Sequence, residues 1–196
     1  MKYLFLEAKS ENINAKIPEE IKSKKVGLVA SIQFLLFLKQ IKKQIKNSII
    51  AGQITGCNVS NALKIKNKVD CFFVLSEGRF HALEVARKTK KPVYVATGDK
   101  ITEEEIKTYE SKLRGKQIRF LNAKKIGILV SLKPGQYNLK LAKELKQKLK
   151  NKESYILIAD NLDIQGLENF QGIDMFINTA CSRIESSNII NVEDLI

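Results

Sequence analysis

Three cysteines carry the most specific chemistry that this sequence offers. Cys57 ends the run SIIAGQITGC, Cys181 ends IDMFINTAC, and Cys71 lies early in DCFFVL. Thiolates bind zinc and iron–sulfur clusters and also act as nucleophiles. Cys57 and Cys181 are 124 residues apart, a spacing that matches no local metal motif. For each of them, metal ligation therefore competes with the usual role of a free cysteine, a small buried apolar side chain.

Cys71 differs from the other two because of its place in a predicted strand, Asp70 to Leu75. It lies about four residues before the carboxyl end of that strand. At a rise of ~3.3 Å per residue, Cys71 is therefore ~13 Å from the level of the other two thiols. We therefore expect Cys71 to pack in the core. The two remaining cysteines are too few for a four-cysteine zinc or ferredoxin site within one chain.

Anion-binding groups form a second set of candidates after other predicted strands. The turn KPGQ, Lys133–Gln136, precedes a helix and can expose backbone N–H groups to a carboxylate or phosphate. Such a turn can also be purely structural. Gln33 lies in the matching turn of the first half of the chain, and Arg183 follows Cys181 by two residues.

Arg79 and His81 occupy the equivalent place in the first half, after Glu77. His81 is the only histidine of the chain, and it can serve as a general base or merely cap and pack against a helix. The sequence has no Ser-His-Asp order, Walker loop or GxGxxG motif. Nucleotide binding by one of these known loops is therefore not indicated.

A duplicated segment predicts how these residues are positioned. Lys24–Ile32 reads KKVGLVASI and Lys124–Leu132 reads KKIGILVSL, an offset of 100 residues with Lys, Lys, Gly and Ser identical. A later run that begins with an apolar residue and aspartate is also repeated, VDCFFVL and IDMFIN, at an offset of 104. This second match places Asp70 with Asp174, Phe72 with Phe176, and Arg79 with Arg183.

Each copy follows the repeated strand with a predicted helix, Gln33–Asn47 or Asn138–Lys150, and then with another apolar run. Strands that alternate with helices at these lengths form parallel sheets with right-handed crossovers. We predict an α/β fold of two tandem Rossmann-like units, residues 24–123 and residues 124–196, with parallel sheets and flanking helices. Ligands of such sheets bind at the carboxyl ends of the strands, where the cysteines and turns above are expected to lie.

Elements outside the repeat complete this prediction. Residues 1–23, with the strand-like KYLFLEA, read as the tail strand and linker of a preceding unit that the sequence lacks. The first unit continues through a helix, His81–Lys90, into the strand Pro92–Ala96. The next helix begins at Thr102, where Thr102 and Glu105 form a capping box.

Composition restricts the class of protein. The 196 residues are 44% hydrophobic and 28% charged, as in an ordinary globular protein, and three cysteines in this length favour a reducing compartment. No apolar stretch approaches the roughly 18 residues of a membrane span, and the first residues have no signal-peptide pattern. We therefore expect a cytoplasmic protein with no membrane association.

The net charge of +13 raises the possibility of a nucleic-acid partner. Only five of the 34 cationic residues are arginine, the residue that makes bidentate contacts to phosphate and guanine. The lysines mostly fall on the polar faces of predicted helices. This distribution favours a general lysine-rich surface over a dedicated nucleic-acid site.

Six strings between residues 24 and 185 form an ordered set: KVGLVASIQ, GQITGC, the aspartate strand ending EGRFHAL, KKPVYV, GILVSLKPGQ and IDMFINTACSRI. This set resembles the archaeal 2-(3-amino-3-carboxypropyl)histidine synthases, the family of the first step of diphthamide biosynthesis. The resemblance covers nearly the whole chain, and its TGC, GRFH, KPGQ and TAC-x-RI motifs are quite specific.

The resemblance implies three similar α/β units that each give one cysteine to a 4Fe-4S cluster. It implies that the open iron of the cluster binds S-adenosylmethionine and cleaves it to a 3-amino-3-carboxypropyl radical, which adds to C2 of a histidine imidazole on elongation factor 2. Cys57 and Cys181 are then two of the cluster ligands. The residues implied to hold the polar end of S-adenosylmethionine are Gln136 and Arg183 first, followed by Lys133, Arg79, His81 and Gln33.

The sequence departs from the family at two places. The family's first unit, with its own cysteine, is absent, so we expect a separate polypeptide to supply that unit and the third cysteine. A dimer is a further possible arrangement. Ser182 stands where the family usually has proline after TAC, and the acidic stretch that tends to follow is reduced to Ser186, Ser187 and Asn188.

Three other functions stay open at this point. The chain could be a non-catalytic partner subunit of the same enzyme, since the family includes eukaryotic heterodimers in which one member assists the other. It could be a basic module that binds nucleic acid with strong salt dependence. It could also be a Rossmann-like metabolite binder without iron, which would be colourless when prepared anaerobically.

Overall fold

A computed structural model describes residues 4–195 of the chain. Contacts between residues divide the chain into two compact units, Met1–Thr108 (unit 1) and Tyr109–Ile196 (unit 2). Each unit holds one four-stranded, all-parallel sheet with flanking helices. The predicted α/β fold of two tandem units is therefore confirmed. The division falls within a long helix, Glu103–Asn122, earlier in the chain than the sequence-based boundary at residue 123.

Unit 1 has the strand order β2-β1-β3-β4. Its strands are β1 (Val26–Ala30), β2 (Ser48–Gln53), β3 (Cys71–Leu75) and β4 (Val93–Val95). Its helices are α1 (Glu19–Lys22), α2 (Leu38–Gln44), α3 (Ser60–Ile65), α4 (Phe80–Thr89) and the first part of α5 (Glu103–Asn122), with short 3₁₀ helices at Ile32–Phe37 and Lys66–Lys68. Strands β1 and β3 are buried along their whole length because helices cover both faces of the sheet.

Unit 2 repeats this order as β6-β5-β7-β8. Its strands are β5 (Lys125–Ser131), β6 (Glu153–Ala159), β7 (Met175–Asn178) and β8 (Ile189–Asn191). The rest of α5 belongs to this unit, together with α6 (Leu139–Lys148), α7 (Ile164–Leu167) and a 3₁₀ helix at Val192–Asp194. Among residues 4–195, no helix is long and apolar enough to cross a membrane.

The repeated glycine has the same packing role in both units. A Cβ atom built on Gly27 would lie 2.6 Å from Cδ1 of Phe72, and one built on Gly127 would lie 2.5 Å from Cδ1 of Phe176. Each phenylalanine is fully buried on the strand next to its glycine. Any side chain at the glycine would collide with the ring, which explains why glycine occurs inside both buried strands.

The repeated aspartate ties the amino ends of two neighbouring strands together. The Asp70 carboxylate accepts a hydrogen bond from the backbone N–H of Lys25 at 2.8 Å. The Asp174 carboxylate accepts from the N–H groups of Lys124 and Lys125 at 2.7 and 2.8 Å. These two backbone donors lower the pKa of Asp174. The motif thus fixes strand register at the end of each sheet that is far from the cysteine loops.

Several element predictions need correction. The strand predicted in KYLFLEA is not formed in its described part, residues 4–8, because no neighbouring strand pairs with it there; its first residues lie outside the described range. The helix predicted at Gln33–Asn47 is split into the 3₁₀ helix Ile32–Phe37 and α2, since the N–H of Phe34 bonds three residues back to Ser31. Strand β8 is not predicted from the sequence.

Candidate metal centre

Cys57 lies in an exposed loop just past the carboxyl end of β2. The side-chain oxygen of Thr55 lies 3.4 Å from the Cys57 sulfur. Thr55 also exchanges hydrogen bonds with Asn58, donating its N–H to the Asn58 carbonyl at 3.0 Å and accepting the Asn58 N–H at 3.1 Å on its hydroxyl. These contacts hold the loop in a tight turn on which Cys57 is exposed, so its thiol is accessible to a metal.

Gly56 explains the TGC motif sterically. A Cβ atom built on Gly56 would lie 2.2 Å from a ring carbon of Phe80, so the loop can approach Phe80 only with glycine at this position. The contact places the Cys57 loop beside the start of α4, which carries Arg79 and His81. The structure therefore brings two separate sequence motifs, TGC and GRFH, together at one edge of unit 1.

Cys181 lies in a more constrained loop, three residues past the end of β7, and its side chain is partly buried. The side-chain amide of Asn178 donates to the Cys181 carbonyl and to the Asn191 side-chain oxygen, both at 2.8 Å. The Asn178 oxygen accepts the N–H of Ala180 at 2.9 Å. Asn191 in turn donates to the Ser182 carbonyl at 3.3 Å. One buried asparagine pair thus fixes the backbone on both sides of the cysteine.

The same loop is joined to the KPGQ turn. Thr179 is 2% exposed and donates its hydroxyl to the Leu129 carbonyl of β5 at 2.7 Å. Its own carbonyl accepts a hydrogen bond of 2.8 Å from the side chain of Asn138, the residue before α6. Gln136 lies two residues before Asn138 in the chain. The structure therefore places the turn of Gln136 and the loop of Cys181 next to each other in unit 2.

The KPGQ segment forms a type II-like turn. The N–H of Gln136 donates to the Lys133 carbonyl at 3.0 Å, and Gly135 has a φ of +78°, which favours glycine at the third position of such a turn. Lys133 is exposed and Gln136 is half-buried. Helix α6 begins at Leu139 with Asn138 as its N-cap, so the turn lies just before the helix start, as predicted.

Cys71 has the core role that its place in the strand predicts. It is fully buried in β3, and burial raises the pKa of its thiol to about 11. A neutral, enclosed thiol of this kind cannot serve as a thiolate ligand without unfolding its surroundings. Cys57 and Cys181 are thus the two cysteines with accessible thiols, and their donor chemistry fits an iron–sulfur cluster.

The two arginines of the repeat have different surroundings. Arg79 forms a bidentate pair with Glu105, with distances of 2.7 and 2.8 Å, and donates to the Lys100 carbonyl at 2.9 Å. The hydrogen bond to Arg79 is the main reason why the pKa of Glu105 falls to about 2. Arg183 is exposed, and among residues 4–195 no hydrogen bond or ion pair engages its guanidinium. The guanidinium of Arg183 is therefore available to bind a ligand, whereas that of Arg79 is already paired with Glu105.

The other predicted contacts lie near the strand ends of unit 1. Gln33 follows β1 in the 3₁₀ helix, and its side-chain oxygen accepts a hydrogen bond from the Ser31 hydroxyl at 3.3 Å. His81 is half-buried in the first turn of α4 and packs edge-on against Phe80, with ring centroids 5.7 Å apart. Neither set of contacts indicates that the residue binds a ligand, and the roles of Gln33 and His81 stay predictions.

No group of three or more His, Cys, Asp or Glu side chains in the described part of the chain is arranged to hold a metal ion. Residues 4–195 thus contain no complete ligand set for a cluster within either unit. The predicted meeting of Cys57 and Cys181, which lie in different units, stays a prediction.

The residues that hold the Cys181 loop, above all Asn178 and Asn191, were not predicted from the sequence. Both end short apolar strands with the same dipeptide, Ile-Asn, and both are almost completely buried. A polar side chain at the end of an otherwise apolar run was the available signal, since buried amides require hydrogen-bond partners.

Comparison with known proteins identifies the family. The family described as "Putative diphthamide synthesis protein" matches residues 1–190. The 2-(3-amino-3-carboxypropyl)histidine synthase of Methanocaldococcus jannaschii is 31% identical over 170 residues, which are 82% of this chain and 46% of that protein. The enzyme of the same name from Pyrococcus horikoshii is 31% identical over 141 residues, 68% of this chain and 39% of that protein.

More distant comparisons agree. A protein named 2-(3-amino-3-carboxypropyl)histidine synthase subunit 1, from Encephalitozoon cuniculi, is 22% identical over 82% of this chain. The crystal structure of Dph2 from Pyrococcus horikoshii with a 4Fe-4S cluster has the same fold, with a TM-score of 0.76, 24% identity, and coverage of 90% of this chain and 57% of that one. The chain spans about half the length of the curated relatives that it matches. With a family match over nearly all of its residues, the chain belongs to the diphthamide synthesis protein family.

Proposed function

We propose that the chain is part of an enzyme that transfers the 3-amino-3-carboxypropyl group of S-adenosylmethionine to a histidine of elongation factor 2, the first step of diphthamide biosynthesis. The observation that carries this proposal is the placement of Cys57 and Cys181. Each accessible thiol follows the carboxyl end of a strand in one of two repeated units, and the chain is 31% identical to archaeal synthases of this name.

Cys57 and Cys181 are the proposed protein ligands of a 4Fe-4S cluster. When bound, such a cluster supplies the electron that cleaves S-adenosylmethionine. Cys57 offers an exposed thiol on a tight turn, and the asparagine pair holds the backbone of Cys181 in place. The third thiolate comes from outside these 196 residues, and a separate polypeptide that carries a further α/β unit is its proposed source.

Residues of the two loops in unit 2 are proposed to bind the polar end of S-adenosylmethionine. The guanidinium of Arg183 can form a bidentate pair with the substrate carboxylate. Gln136 and Lys133 lie on the turn that Asn138 joins to the Cys181 loop, so all three side chains belong to one edge of the sheet. In unit 1, His81 and Gln33 are weaker candidates, and Arg79 would have to leave Glu105 to contribute.

A transfer assay tests this proposal. The tagged chain is purified anaerobically from its own cells with whatever binds it, and is given dithionite, elongation factor 2 and S-adenosylmethionine labelled in the aminocarboxypropyl group. We expect label on elongation factor 2, retained in Cys71→Ala and lost in both Cys57→Ala and Cys181→Ala. Absence of label with the wild-type complex would contradict the enzymatic role.

A second candidate function is an auxiliary subunit of the same enzyme. The relative named subunit 1 favours it, because that name implies an enzyme of more than one chain. In this case the labelled transfer persists when Cys57 and Cys181 are both changed to alanine, although the chain is still required. The same assay therefore separates a catalytic from an assisting role.

A further inference from the structure

A groove on unit 2 has features that neither the cluster nor the transfer reaction uses. It has a volume of about 440 Å³ and lies between helix α5 and the loop before β8. Three cations of one helix face line it, Lys112, Lys116 and Arg119. Opposite them lie two hydroxyl side chains and one carboxylate, Ser186, Ser187 and Glu185. The lining therefore carries an excess of two positive charges.

Gly115 forms part of this groove in the interior of the 20-residue helix α5. Glycine is unfavourable inside a helix because it has much backbone entropy to lose. The fold does not require it, since a Cβ atom built on Gly115 would have no neighbour within 4 Å. The absence of a side chain instead leaves space between Lys112, Lys116 and Arg119, which are spaced one turn apart.

We propose that this groove binds a small phosphate-bearing molecule, with Lys112, Lys116 and Arg119 neutralising the phosphate and Ser186 and Ser187 donating hydroxyl hydrogen bonds. Lysine, arginine and serine side chains are the usual donors to phosphate oxygens. The volume lies within the range of small-ligand sites, about 300–1,000 Å³. A mononucleotide falls within the size of ligand that such a volume holds.

The environment of Lys116 supports this assignment. The pKa of Lys116 is lowered mainly because burial disfavours its charged form; the carboxylates of Glu185 and Asp194 raise it, and the weaker effects of Arg119 and Lys112 lower it. A phosphate group beside Lys116 would stabilise the charged form that burial disfavours.

Isothermal titration of the full chain with adenosine 5′-monophosphate and with inorganic phosphate tests the proposal. We expect binding of the nucleotide, about tenfold weaker in Lys116→Met, since losing one charge-assisted hydrogen bond of ~1.4 kcal/mol is tenfold in affinity. Gly115→Ala should weaken binding by filling the groove, and at the same time raise Tm by about 2 °C because alanine favours the helix. This opposite response excludes misfolding as the cause.

Arg114→Gln is the matched control, because it removes one charge from the same helix at an exposed residue that does not line the groove. We expect it to leave nucleotide affinity unchanged. Equal loss of affinity in Arg114→Gln and Lys116→Met would overturn the proposal, since it would indicate binding by net charge alone. Absence of nucleotide and phosphate binding, or preference for single-stranded RNA over the nucleotide, would also overturn it.

Discussion

The two cysteine loops differ far more than the two sheets that carry them. Both units use a buried Gly–Phe contact and an aspartate that joins the amino ends of neighbouring strands. At the opposite end, Cys57 follows an edge strand on an exposed, threonine-based turn, whereas Cys181 follows an inner strand and is held by buried asparagines. The repeat therefore preserves the scaffold, while each loop has its own way of presenting a thiol.

The arginines show the same division of roles. In unit 1, Arg79 is bound by Glu105, which also caps helix α5 by accepting the N–H of Thr102 at 2.7 Å. In unit 2, the matching Arg183 is exposed and free of such bonds among the described residues. One copy of the residue thus stabilises its unit, and the other is available for a ligand.

The largest expected effect sharpens the contrast between the loops. Asn178→Ala removes three hydrogen bonds of a buried side chain, to Cys181, Ala180 and Asn191, and we expect it to lower the free energy of unfolding by about 3 kcal/mol. Asn58→Ala, in the exposed Cys57 loop, removes only the side-chain oxygen that accepts the Ser60 N–H at 2.9 Å. It should cost about 0.5–1 kcal/mol, since water can replace this exposed bond. Urea unfolding of the two variants measures both values. Equal costs would mean that the two loops are held equally firmly.

Substitutions of the repeated glycines, Gly27 and Gly127, test whether the two sheets are packed in the same way. Gly27→Ala and Gly127→Ala each force a methyl group into a buried phenylalanine ring, so each should lower the free energy of unfolding by about 2 kcal/mol. Gly166→Ala is the control, because its Cβ atom would have no neighbour closer than 3.6 Å. A large cost in only one of the two core variants would break the equivalence of the units. Adding Phe72→Leu to Gly27→Ala should recover part of the loss.

Substitutions of the repeated arginines, Arg79 and Arg183, have the smallest expected effect on the free energy of unfolding. Arg79→Met should lower the free energy of unfolding by about 0.5–1 kcal/mol, since the pair with Glu105 is more than one third exposed. Arg183→Met should change it by less than about 0.5 kcal/mol. Arg79→Met should cost less in a Glu105→Gln background, where the hydrogen bond to the Lys100 carbonyl is the main interaction left to lose. Equal costs for Arg79 and Arg183 would contradict the proposed division of roles.

The same pair predicts a pH dependence in unit 1. Arg79 holds the folded-state pKa of Glu105 at about 2, below its ordinary value of 4.5. A lowered carboxyl pKa contributes stability that is complete above the ordinary value and is lost as pH falls toward the folded-state value. The stability difference between wild type and Glu105→Gln should therefore be constant above about pH 5 and vanish near pH 2. A difference that grows on acidification would contradict the ion pair.

The sequence predicts the fold well because its repeat is visible in residue types. The Gly, Phe and Asp of each copy have the contacts that their positions indicate, and the capping box of Thr102 and Glu105 forms as predicted. Cys71 is buried as its depth in the strand requires. These features depend on local periodicity and on neighbouring strands, which sequence patterns can show.

The cysteine loops are less predictable because their contacts join residues that are distant in sequence. Nothing local indicates that Glu105 would bind Arg79, or that Asn191 would bind Asn178. The predicted strand in KYLFLEA fails for a related reason, since a strand needs a neighbour and none lies beside residues 4–8. Pairings of this kind depend on the folded arrangement of the chain.

Cluster loading of the full chain tests the central claim, that Cys57 and Cys181 bind one cluster. The chain is reconstituted anaerobically with iron and sulfide, and excess 2-mercaptoethanol stands in for the third thiolate. Bound iron and the cluster's absorbance are then measured. We predict roughly four iron atoms per chain in wild type and Cys71→Ala, and equal loss in Cys57→Ala, Cys181→Ala and the double variant. Retention of the cluster after either single change, or losses that add in the double variant, would contradict a shared cluster.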